Sequence, residues 1–495
     1  MGKSGETVTY AQLDERSNRL ARFFRSIGLA ARDHIAILIE NQPRFLELCW
    51  AAQRTGLYYT PVNTHLAADE AAYIVNDCGA RVLLVSSALP ELAAALAGKT
   101  PRVEHRLMLG ASARGHERYE DVVDRQPAEP VPDEQEGAPM LYSSGTTGRP
   151  KGVIPPRLDV PFGTPPVVAE LNRQLYGFDG DSVYLSPAPL YHSAPLNYCM
   201  MVHRLGGTAV VMERFDAREA LRLIERHRVT HGQWVPTMFV RLLQLPPEER
   251  ARHDLSSQRA VIHAAAPCPI PVKEAMIAWW GPILYEYYSA TERPGMTRLS
   301  PADWEAHKGS VGRAVLGELH IVGDDGEEVP PGEVGTVYFS GGPQFEYHGD
   351  PAETAASRNA RGWTTVGDLG CVDQDGFLYL TDRKGFMIIS GGVNIYPQEV
   401  ENVLASHPKV QDVAVIGVPN QEFGEEVKAV VQPADPTSAG PELAQELIAW
   451  CRSHLAHYKC PRSIDFEAEL PRLLTGKLHK KPLRARYWPT PTSNR

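Results

Sequence analysis

Between residues 9 and 100 the chain alternates regularly between segments with a helical pattern and segments with a strand pattern. Short apolar runs such as HIAILIE and RVLLVS are typical of buried strands, and the intervening segment FLELCWAAQRTG has apolar residues at helical spacing and ends at Gly56. Thr9 is a suitable N-cap for the first helix. Helices and strands in alternation predict a layered α/β domain with a mostly parallel sheet.

The pattern changes twice further along the chain. From about residue 310 short strands alternate with Asp-Gly and Pro-Gly turns, which predicts a small β-rich subdomain at about 310–382. The remaining residues read as a compact α+β unit. Because 495 residues exceed what one core supports, we predict an N-terminal domain at 1–382 and a mobile C-terminal domain at 383–495.

Composition excludes several classes of protein. The formal net charge is -10 and there is no strongly basic run, so a broad nucleic-acid-binding face is not expected. The seven cysteines include no C-x-x-C pair, which favours free thiols in a reducing cytoplasm. The N-terminus is polar, without a secretory signal, and no apolar run approaches the roughly 18 residues of a membrane span.

The segment LYSSGTTGRPKGV, residues 141–153, combines glycines, hydroxyl residues and one lysine directly after an apolar run. Glycines let the backbone come close to a ligand, and consecutive N–H groups form an anion-binding nest. A flexible linker is the alternative, but linkers do not usually carry Pro-Lys-Gly between apolar flanks. The segment therefore predicts a polyphosphate site, although it lacks the G-x-x-x-x-G-K-[ST] pattern of a P-loop.

Further short motifs follow this loop in a fixed order. They are PLYHSAPL at 189–196, HAAAP at 263–267, EYYSATE at 286–292, GWTTVGDLG at 362–370, DRKGFMIISGGVNIYPQEVE at 382–401 and LPRLLTGKLHKKPLR at 470–484. Taken together, the chain resembles the acyl-CoA synthetase branch of the acyl-adenylate-forming superfamily from about Thr9 to Arg484. PLYHSAPL and EYYSATE look most like those of bacterial fatty-acid and steroid-type CoA ligases.

This resemblance implies a ligase that works in two steps. A carboxylate attacks the α-phosphate of ATP to give acyl-AMP and pyrophosphate, and the thiol of coenzyme A then displaces AMP. Because a carboxylate must approach a polyanion, catalysis depends on positioning and charge neutralisation. The implied cofactors are ATP, Mg²⁺ and coenzyme A, and a homodimer is left open as the assembled state.

The resemblance also assigns nucleotide-site residues. Thr291 would hold the α-phosphate, Glu292 with Thr147 would bind Mg²⁺, and Lys477 would bridge the acyl carboxylate and the α-phosphate. A helix start is the alternative interpretation of Thr291 and Glu292. The residues expected around ATP or AMP are Ser143, Ser144, Gly145, Thr146, Thr147, Gly148, Lys151, Ala264, Ala265, Ala266, Glu286, Tyr287, Tyr288, Asp368 and Arg383.

The remaining assignments concern the acyl group, the thiol and the hinge. The expected acyl-pocket residues are His192, Ala194, Cys199, Trp234 and His263. His192 would line or gate the pocket, because a carboxylate needs no base to attack phosphorus; a simply packed histidine is the alternative. Gly391 and Gly392 would line the coenzyme A channel, and Gly385 would be the hinge.

The chain departs from the family pattern at two positions. Ser289 stands where relatives often have glycine, which adds a side chain near the nucleotide or acyl pocket. Gly385 stands where many relatives carry Asp or Lys, so any charge-mediated step there is lost, although glycine permits large backbone rotations.

Three functions are compatible with these motifs. They are a CoA ligase, an enzyme that loads a carrier-protein pantetheine, and a nucleotide-binding regulator without turnover. Small side chains and methionines near the expected tunnel indicate a bulky hydrophobic acid, either polycyclic like a steroid or diterpenoid acid or a medium- or long-chain fatty acid. Apart from the two histidines, these stretches contain no basic residue that could pair with a second carboxylate. A pseudoenzyme is disfavoured by the presence of Thr291, Glu292, Asp368, Arg383 and Lys477 together.

Overall fold

The computed structural model describes residues 1–143, 150–155, 159–383, 386–390, 393–472 and 478–488, with the side chains of Asp382, Arg383 and Asn394 outside the description. The first layer is a parallel sheet with strand order β5-β4-β3-β1-β2-β6 and its helices. Its elements are α1 (Tyr10–Ser26), β1 (His34–Leu38), α2 (Arg44–Arg54), β2 (Tyr58–Pro61), α3 (Ala68–Asp77), β3 (Val82–Ser86), α4 (Pro90–Ala97), β4 (His105–Leu109), β5 (Glu117–Arg118), α5 (Tyr119–Val123) and β6 (Ala138–Pro139).

Helix α1 begins as its sequence predicts. The Thr9 hydroxyl accepts from the Gln12 backbone N–H at 3.2 Å, and Gln12 Oε1 accepts from the Thr9 N–H at 2.9 Å. This capping box satisfies two backbone donors that a helix start leaves free.

The second layer is a larger sheet with strand order β10-β9-β11-β12-β13-β14-β15. Strands β9 to β13 run parallel, and β14 and β15 are added antiparallel. The elements of this part are β7 (Leu141–Ser143), β8 (Lys151–Ile154), α6 (Val167–Tyr176), β9 (Val183–Ser186), α7 (Ser193–Arg204), β10 (Thr208–Val211), α8 (Ala217–His227), β11 (His231–Trp234), α9 (Pro236–Leu243), α10 (Pro247–Arg250), β12 (Ala260–His263), α11 (Ile270–Trp280), β13 (Leu284–Tyr288), β14 (Met296–Leu299) and β15 (Arg313–Leu316).

Two smaller antiparallel sheets follow. One has the order β16-β17-β19-β20, and the other, β18-β8-β7, uses the hairpin around the glycine-rich loop. Strand β15 belongs to the second layer, and the first strand of the β-rich sheet begins at Glu318. The elements are β16 (Glu318–Val322), β17 (Gly335–Ser340), β18 (Glu346–Tyr347), α12 (Pro351–Ala356), β19 (Asp368–Val372) and β20 (Leu378–Arg383).

The last part of the chain forms a sheet of its own with the order β22-β21-β24-β23, and β25 pairs with β24. The elements are β21 (Ile388–Ser390), β22 (Val393–Ile395), α13 (Pro397–Ala405), β23 (Val410–Asn420), β24 (Gly424–Pro433), α14 (Pro441–His454), β25 (Ser463–Phe466), α15 (Lys480–Tyr487) and 3₁₀ turns at Pro436–Ser438 and His457–Lys459. Helices α13 and α14 pack on this sheet through Val400, Leu404 and Leu447.

The main hydrophobic core lies between the two large sheets. Ile35 and Ile37 of β1 join Tyr184 of β9 and helices α1, α2 and α7 there, whereas Ala36 and Leu38 face the opposite side with α3 and α4. Both faces of the first sheet are therefore covered, as expected of a parallel sheet. The predicted layered α/β architecture is confirmed.

All seven cysteines are free thiols. Among the described helices, none combines the length and apolar character needed to cross a bilayer.

Candidate active site

The site lies at the carboxyl ends of the parallel strands of the second sheet, where open α/β sheets bind ligands. Strand β12 ends at His263 and leads to Ala264, and β13 ends at Tyr288, three residues before Thr291. A cavity of about 1860 Å³ opens along this edge. Its lining includes the nucleotide-site residues Ser143, Lys151, Ala264, Ala265, Ala266, Glu286, Tyr287, Tyr288, Thr291, Glu292 and Asp368.

The glycine-rich loop is held by the β7–β8 hairpin, in which Ser143 is paired with Lys151. The Lys151 ammonium forms an ion pair with Glu353 and lies 5.2 Å from the centre of the Tyr347 ring. Lys151 therefore has a carboxylate partner that a polyphosphate would have to displace. The loop residues predicted to cradle phosphate, Ser144, Gly145, Thr146, Thr147 and Gly148, lie outside the described residues.

Glu292 is tied to the same hairpin sheet. Its carboxylate is buried, at 8% exposure, and Oε1 accepts a hydrogen bond from the Tyr347 hydroxyl at 3.0 Å. Tyr347 is paired with Val153 of β8, so this bond fixes Glu292 relative to the β7–β8 hairpin. Glu292 lines the cavity, and a carboxylate oxygen suits the hard Mg²⁺ ion. Glu292 thus fits the role of a magnesium ligand.

The residues predicted to bind adenosine, Tyr288 and Asp368, lie on two strands that are distant in sequence. The Tyr288 hydroxyl donates to Asp368 Oδ2 at 2.7 Å, and Asp368, at the start of β19, is paired with Arg383 of β20. The backbone of Ala265 has a φ of 75°, in the left-handed region that non-glycine residues rarely adopt. Such strain is common at functional sites, and the side chain of Ala265 is small enough to leave room for a flat base. The side chain of Arg383 lies outside the description.

Glu286 has a partner that the sequence did not reveal. Lys273 Nζ lies 2.7 Å from Glu286 Oε2 and 4.2 Å from the centre of the Trp304 ring, and both charged groups are buried. Burial raises the pKa of Glu286, and Lys273 opposes this shift. Glu286 therefore belongs to a buried ion pair at the cavity wall, which restricts its carboxylate for any direct contact with the nucleotide.

Helix α7 forms the wall expected to hold the acyl group. His192 occupies its N-cap position and Ala194 its first turn, and both line the cavity. Burial lowers the pKa of His192 to about 4, so the imidazole is neutral at pH 7. Among the described residues His192 Nε2 has no hydrogen-bond partner. A neutral, unassisted imidazole is compatible with pocket lining and offers no arrangement for general-base catalysis.

Three residues expected in the acyl pocket are packed in the core instead. Cys199 is fully buried in the core, and it is absent from the cavity lining to which its neighbours Tyr198 and Met200 belong. Trp234 is fully buried, and its ring centre lies 5.4 Å from that of Trp280. His263 is also fully buried; its ring packs against Phe239, and its Nε2 lies 3.6 Å from Glu286 Oε2. The assignment of Cys199, Trp234 and His263 to the acyl pocket is therefore corrected, because all three side chains are buried among other residues and none lines the cavity.

Among the described residues, four arginines that the motifs did not indicate line the cavity: Arg204, Arg241, Arg293 and Arg472. Arg204 is the last residue of α7, and Arg293 directly follows Glu292. Helical spacing from Ala194 through Met201 could have indicated Arg204, whereas no local pattern indicates the direction of Arg293. Both residues lie outside the stretches in which the sequence shows no basic residue other than His192 and His263.

The C-terminal unit closes one side of the same cavity. Gln398 and Asn402 of α13 line it, as do Arg472 and Leu478, which flank residues 473–477. The predicted catalytic Lys477 lies within that segment, outside the described residues, as do the predicted hinge Gly385 and the channel residues Gly391 and Gly392.

Lys480, the first residue of α15, also lines this cavity. It is buried, and its ammonium lies 2.8 Å from Glu401 Oε1. This ion pair ties the start of α15 to α13.

Comparison with known proteins identifies the family. Residues 2–345 match the AMP-binding enzyme family and residues 399–477 match the AMP-binding enzyme C-terminal domain. A feruloyl-CoA synthase of Amycolatopsis sp is 35% identical over 487 residues, covering 98% of this chain and 94% of the relative. The long-chain-fatty-acid–CoA ligase FadD13 of Mycobacterium tuberculosis is 33% identical over 486 residues, covering 97% and 93%.

A solved structure agrees with these relatives. ATP-bound MatB from Rhodopseudomonas palustris superimposes with a TM-score of 0.83 at 28% identity, covering 98% of this chain and 94% of that one. Fold and site thus define an adenylate-forming enzyme, an AMP-forming acid–thiol ligase. The chain belongs to the AMP-binding enzyme family, in the group of acyl-CoA ligases.

Proposed function

We propose that this enzyme joins a bulky, largely hydrophobic carboxylic acid to coenzyme A through an acyl-AMP intermediate. The observation that carries the proposal is the continuity of one cavity from the Lys151 hairpin, past Thr291 and Glu292, to the wall of His192 and Ala194. A carboxylate held along α7 would face a nucleotide held by Tyr288 and Asp368. Pre-organised proximity of this kind is a major source of rate enhancement.

In the first step the acid's carboxylate attacks the α-phosphate, the bond to the β-phosphate breaks, and pyrophosphate leaves. The Thr291 hydroxyl would donate a hydrogen bond to the α-phosphate, and the Asp368 carboxylate would accept hydrogen bonds from the ribose hydroxyls. Glu292 would hold Mg²⁺, which neutralises phosphate charge. Lys477 would add a cation where negative charge accumulates, and the cavity-lining positions of Arg472 and Leu478 support its access to that place.

In the second step a thiolate attacks the acyl carbonyl and AMP leaves. We propose coenzyme A as the thiol, as in the feruloyl-CoA and fatty-acyl-CoA relatives. We further propose that the C-terminal unit rotates near Gly385 so that Gly391 and Gly392 come to line the pantetheine channel. A carrier-protein pantetheine is the alternative acceptor.

The expected size of the acid follows from the part of the cavity that α7 lines. Ala194 leaves room near the reacting carboxylate, while Met200 and Met201 offer adaptable apolar surface. Each Å² of apolar area that the acid buries contributes about 25 cal/mol, so a ring acid or a long chain gains much more than acetate. We therefore propose aryl-propenoic, polycyclic or medium- to long-chain acids as the substrate range.

Pyrophosphate release tests the proposal directly. The purified enzyme is given ATP, Mg²⁺ and, in turn, acetate, octanoate, palmitate, ferulate and a steroid acid, with and without coenzyme A. We expect acid-dependent pyrophosphate with the larger acids and acyl-CoA when coenzyme A is present. Acyl transfer to a pantetheinylated carrier protein but not to coenzyme A would favour the alternative acceptor, and no pyrophosphate with any acid would favour a regulator.

A further inference from the structure

Glu353 was not among the residues expected at the site, although it lies within it. It belongs to the first turn of α12, where the Asp350 cap accepts a hydrogen bond from the Glu353 backbone N–H at 2.9 Å. Glu353 lines the cavity, and its carboxylate forms an ion pair with the ammonium of Lys151 on β8. A carboxylate is thus placed against the cation that is expected to bind polyphosphate.

The backbone sets the position of this ion pair from both sides. Lys151 lies on β8, and β18 pairs with β8 through Tyr347 and Val153. The Tyr347 backbone N–H in turn donates to the Thr354 hydroxyl of α12 at 2.9 Å. Strand β8, strand β18 and helix α12 are therefore joined by hydrogen bonds, which hold Glu353 beside Lys151.

The two charged groups are largely shielded from water. The Lys151 side chain is 12% exposed and that of Glu353 is 30% exposed. The ring of Tyr347 also lies beside the ammonium, with its centre 5.2 Å from Lys151 Nζ. Opposite charges attract more strongly in such a place than in bulk water, because the local dielectric is lower. Glu353 therefore neutralises much of the charge that Lys151 would offer to a ligand.

A phosphate that enters the site competes with Glu353 for Lys151. It gains charge-assisted hydrogen bonds from the ammonium, but it must displace the carboxylate or lie close to it, and either cost weakens binding. ATP would gain further contacts through its adenosine at Tyr288 and Asp368. Pyrophosphate has no adenosine, so the competition weighs most heavily on the product.

We propose that Glu353 is a positioning residue that limits the affinity of the site for pyrophosphate and thereby permits this product to leave after adenylation. Lys151 exchanges between two anionic partners: the phosphates while ATP or pyrophosphate is bound, and Glu353 after they leave. This inference rests on the proposed ligase function and adds a determinant of product release to it.

Binding of pyrophosphate alone tests the inference without turnover. Isothermal titration calorimetry with Mg²⁺ and pyrophosphate, in the absence of ATP and acid, gives the Kd for the wild-type enzyme and for Glu353→Gln. The amide keeps the size of the side chain but not its charge, so the Kd should fall by about 5- to 30-fold, between the effects of an exposed ion pair and of a hydrogen bond to a charged group. In assays of acyl-AMP formation, the inhibition constant of pyrophosphate should fall by a similar factor.

Two controls separate the contact with Lys151 from general charge effects. Glu346 is an exposed carboxylate on β18 of the same sheet, and in the described part of the chain Lys151 is paired with Glu353 and not with Glu346. Glu346→Gln should therefore change the Kd for pyrophosphate by less than about twofold. In a Lys151→Met background Glu353→Gln should lose its effect, because the two residues act as a coupled pair. Melting temperatures report whether each variant is folded.

Several outcomes overturn the inference. They are an unchanged or raised Kd for pyrophosphate in folded Glu353→Gln, an equal gain of affinity in Glu346→Gln, and a gain that persists in the Lys151→Met background. Any of these in an active ligase removes only the role of Glu353. The ligase function fails separately, if the wild-type enzyme releases no pyrophosphate from ATP with any acid.

Discussion

The Tyr288 hydroxyl donates a hydrogen bond to Asp368 Oδ2 at 2.7 Å, joining the end of β13 to the start of β19. If Asp368 accepts the ribose hydroxyls, Asp368→Asn should lower kcat/KM for ATP by about 10- to 100-fold. It should also reduce the preference for ATP over 2′-deoxy-ATP, because the charged acceptor of that hydroxyl is lost. Steady-state kinetics with both nucleotides measure this effect.

Tyr288→Phe is the matched control for Asp368→Asn. It removes the hydroxyl but retains the ring and the carboxylate, so we expect a smaller loss, of about tenfold or less, and retained discrimination between ATP and 2′-deoxy-ATP. An unchanged ATP preference in Asp368→Asn would contradict a ribose contact.

Glu292→Gln should lower pyrophosphate release by about 100-fold or more, since the amide keeps the size of the side chain but is a poor Mg²⁺ ligand. Raising the Mg²⁺ concentration should recover part of the activity. Tyr347→Phe, which removes only the hydrogen bond to Glu292 Oε1, should cost about tenfold or less. A large fall in the melting temperature of Glu292→Gln without nucleotide would instead indicate a structural role.

Lys273→Met should destabilise the fold by about 3–5 kcal/mol, because it leaves the buried Glu286 carboxylate without its partner at 2.7 Å. Differential scanning calorimetry or chemical denaturation measures the change. The double variant Lys273→Met/Glu286→Gln should recover much of the loss, since no uncompensated charge then remains. Equal stability of the single variant and the wild type would show that the pair contributes little.

The stability of the fold should fall as the pH is lowered from about 6.5 towards 4. Burial lowers the pKa of His34, His192, His203 and His231 to about 4. In the unfolded chain an imidazole has a pKa near 6.5, so in this window the unfolded state takes up protons that the folded state does not. The stabilisation is therefore complete above pH 6.5 and is lost on acidification.

His203 offers a direct test of this pH dependence. Its Nδ1 accepts a hydrogen bond from the Trp50 indole N–H at 3.1 Å, which requires an unprotonated nitrogen. His203→Gln can retain an acceptor but cannot titrate, so its melting temperature should vary less with pH between 6.5 and 4 than that of the wild type. The exposed His65→Gln should keep the wild-type slope.

Lys477→Ala should reduce acyl-AMP formation by about 10²–10³-fold, because a cation is lost where negative charge accumulates. The same variant should still convert supplied acyl-AMP and coenzyme A to acyl-CoA, since we propose that the domain rotation removes Lys477 before the thiol step. Rapid-quench assays of the two half-reactions measure this difference. Equal losses in both would contradict a role confined to adenylation.

Much of the fold could be predicted from local patterns. The alternation of helices and strands, the Thr9 cap and the hairpin ends around the glycine-rich loop all depend on residues close together in sequence. The family motifs likewise placed Thr291, Glu292, Tyr288 and Asp368 in one site, and the structure brings these residues to one cavity.

The sequence by itself determined the layered α/β architecture and the identity of the motif residues, because backbone periodicity and turn chemistry are local properties. Only the tertiary structure decided which side chains face the cavity. On α7 it is Tyr198 and not Cys199, and Arg293, which directly follows Glu292, lines the same cavity. The physical reason is that the direction of a side chain is fixed by packing against elements distant in sequence, which no local pattern contains.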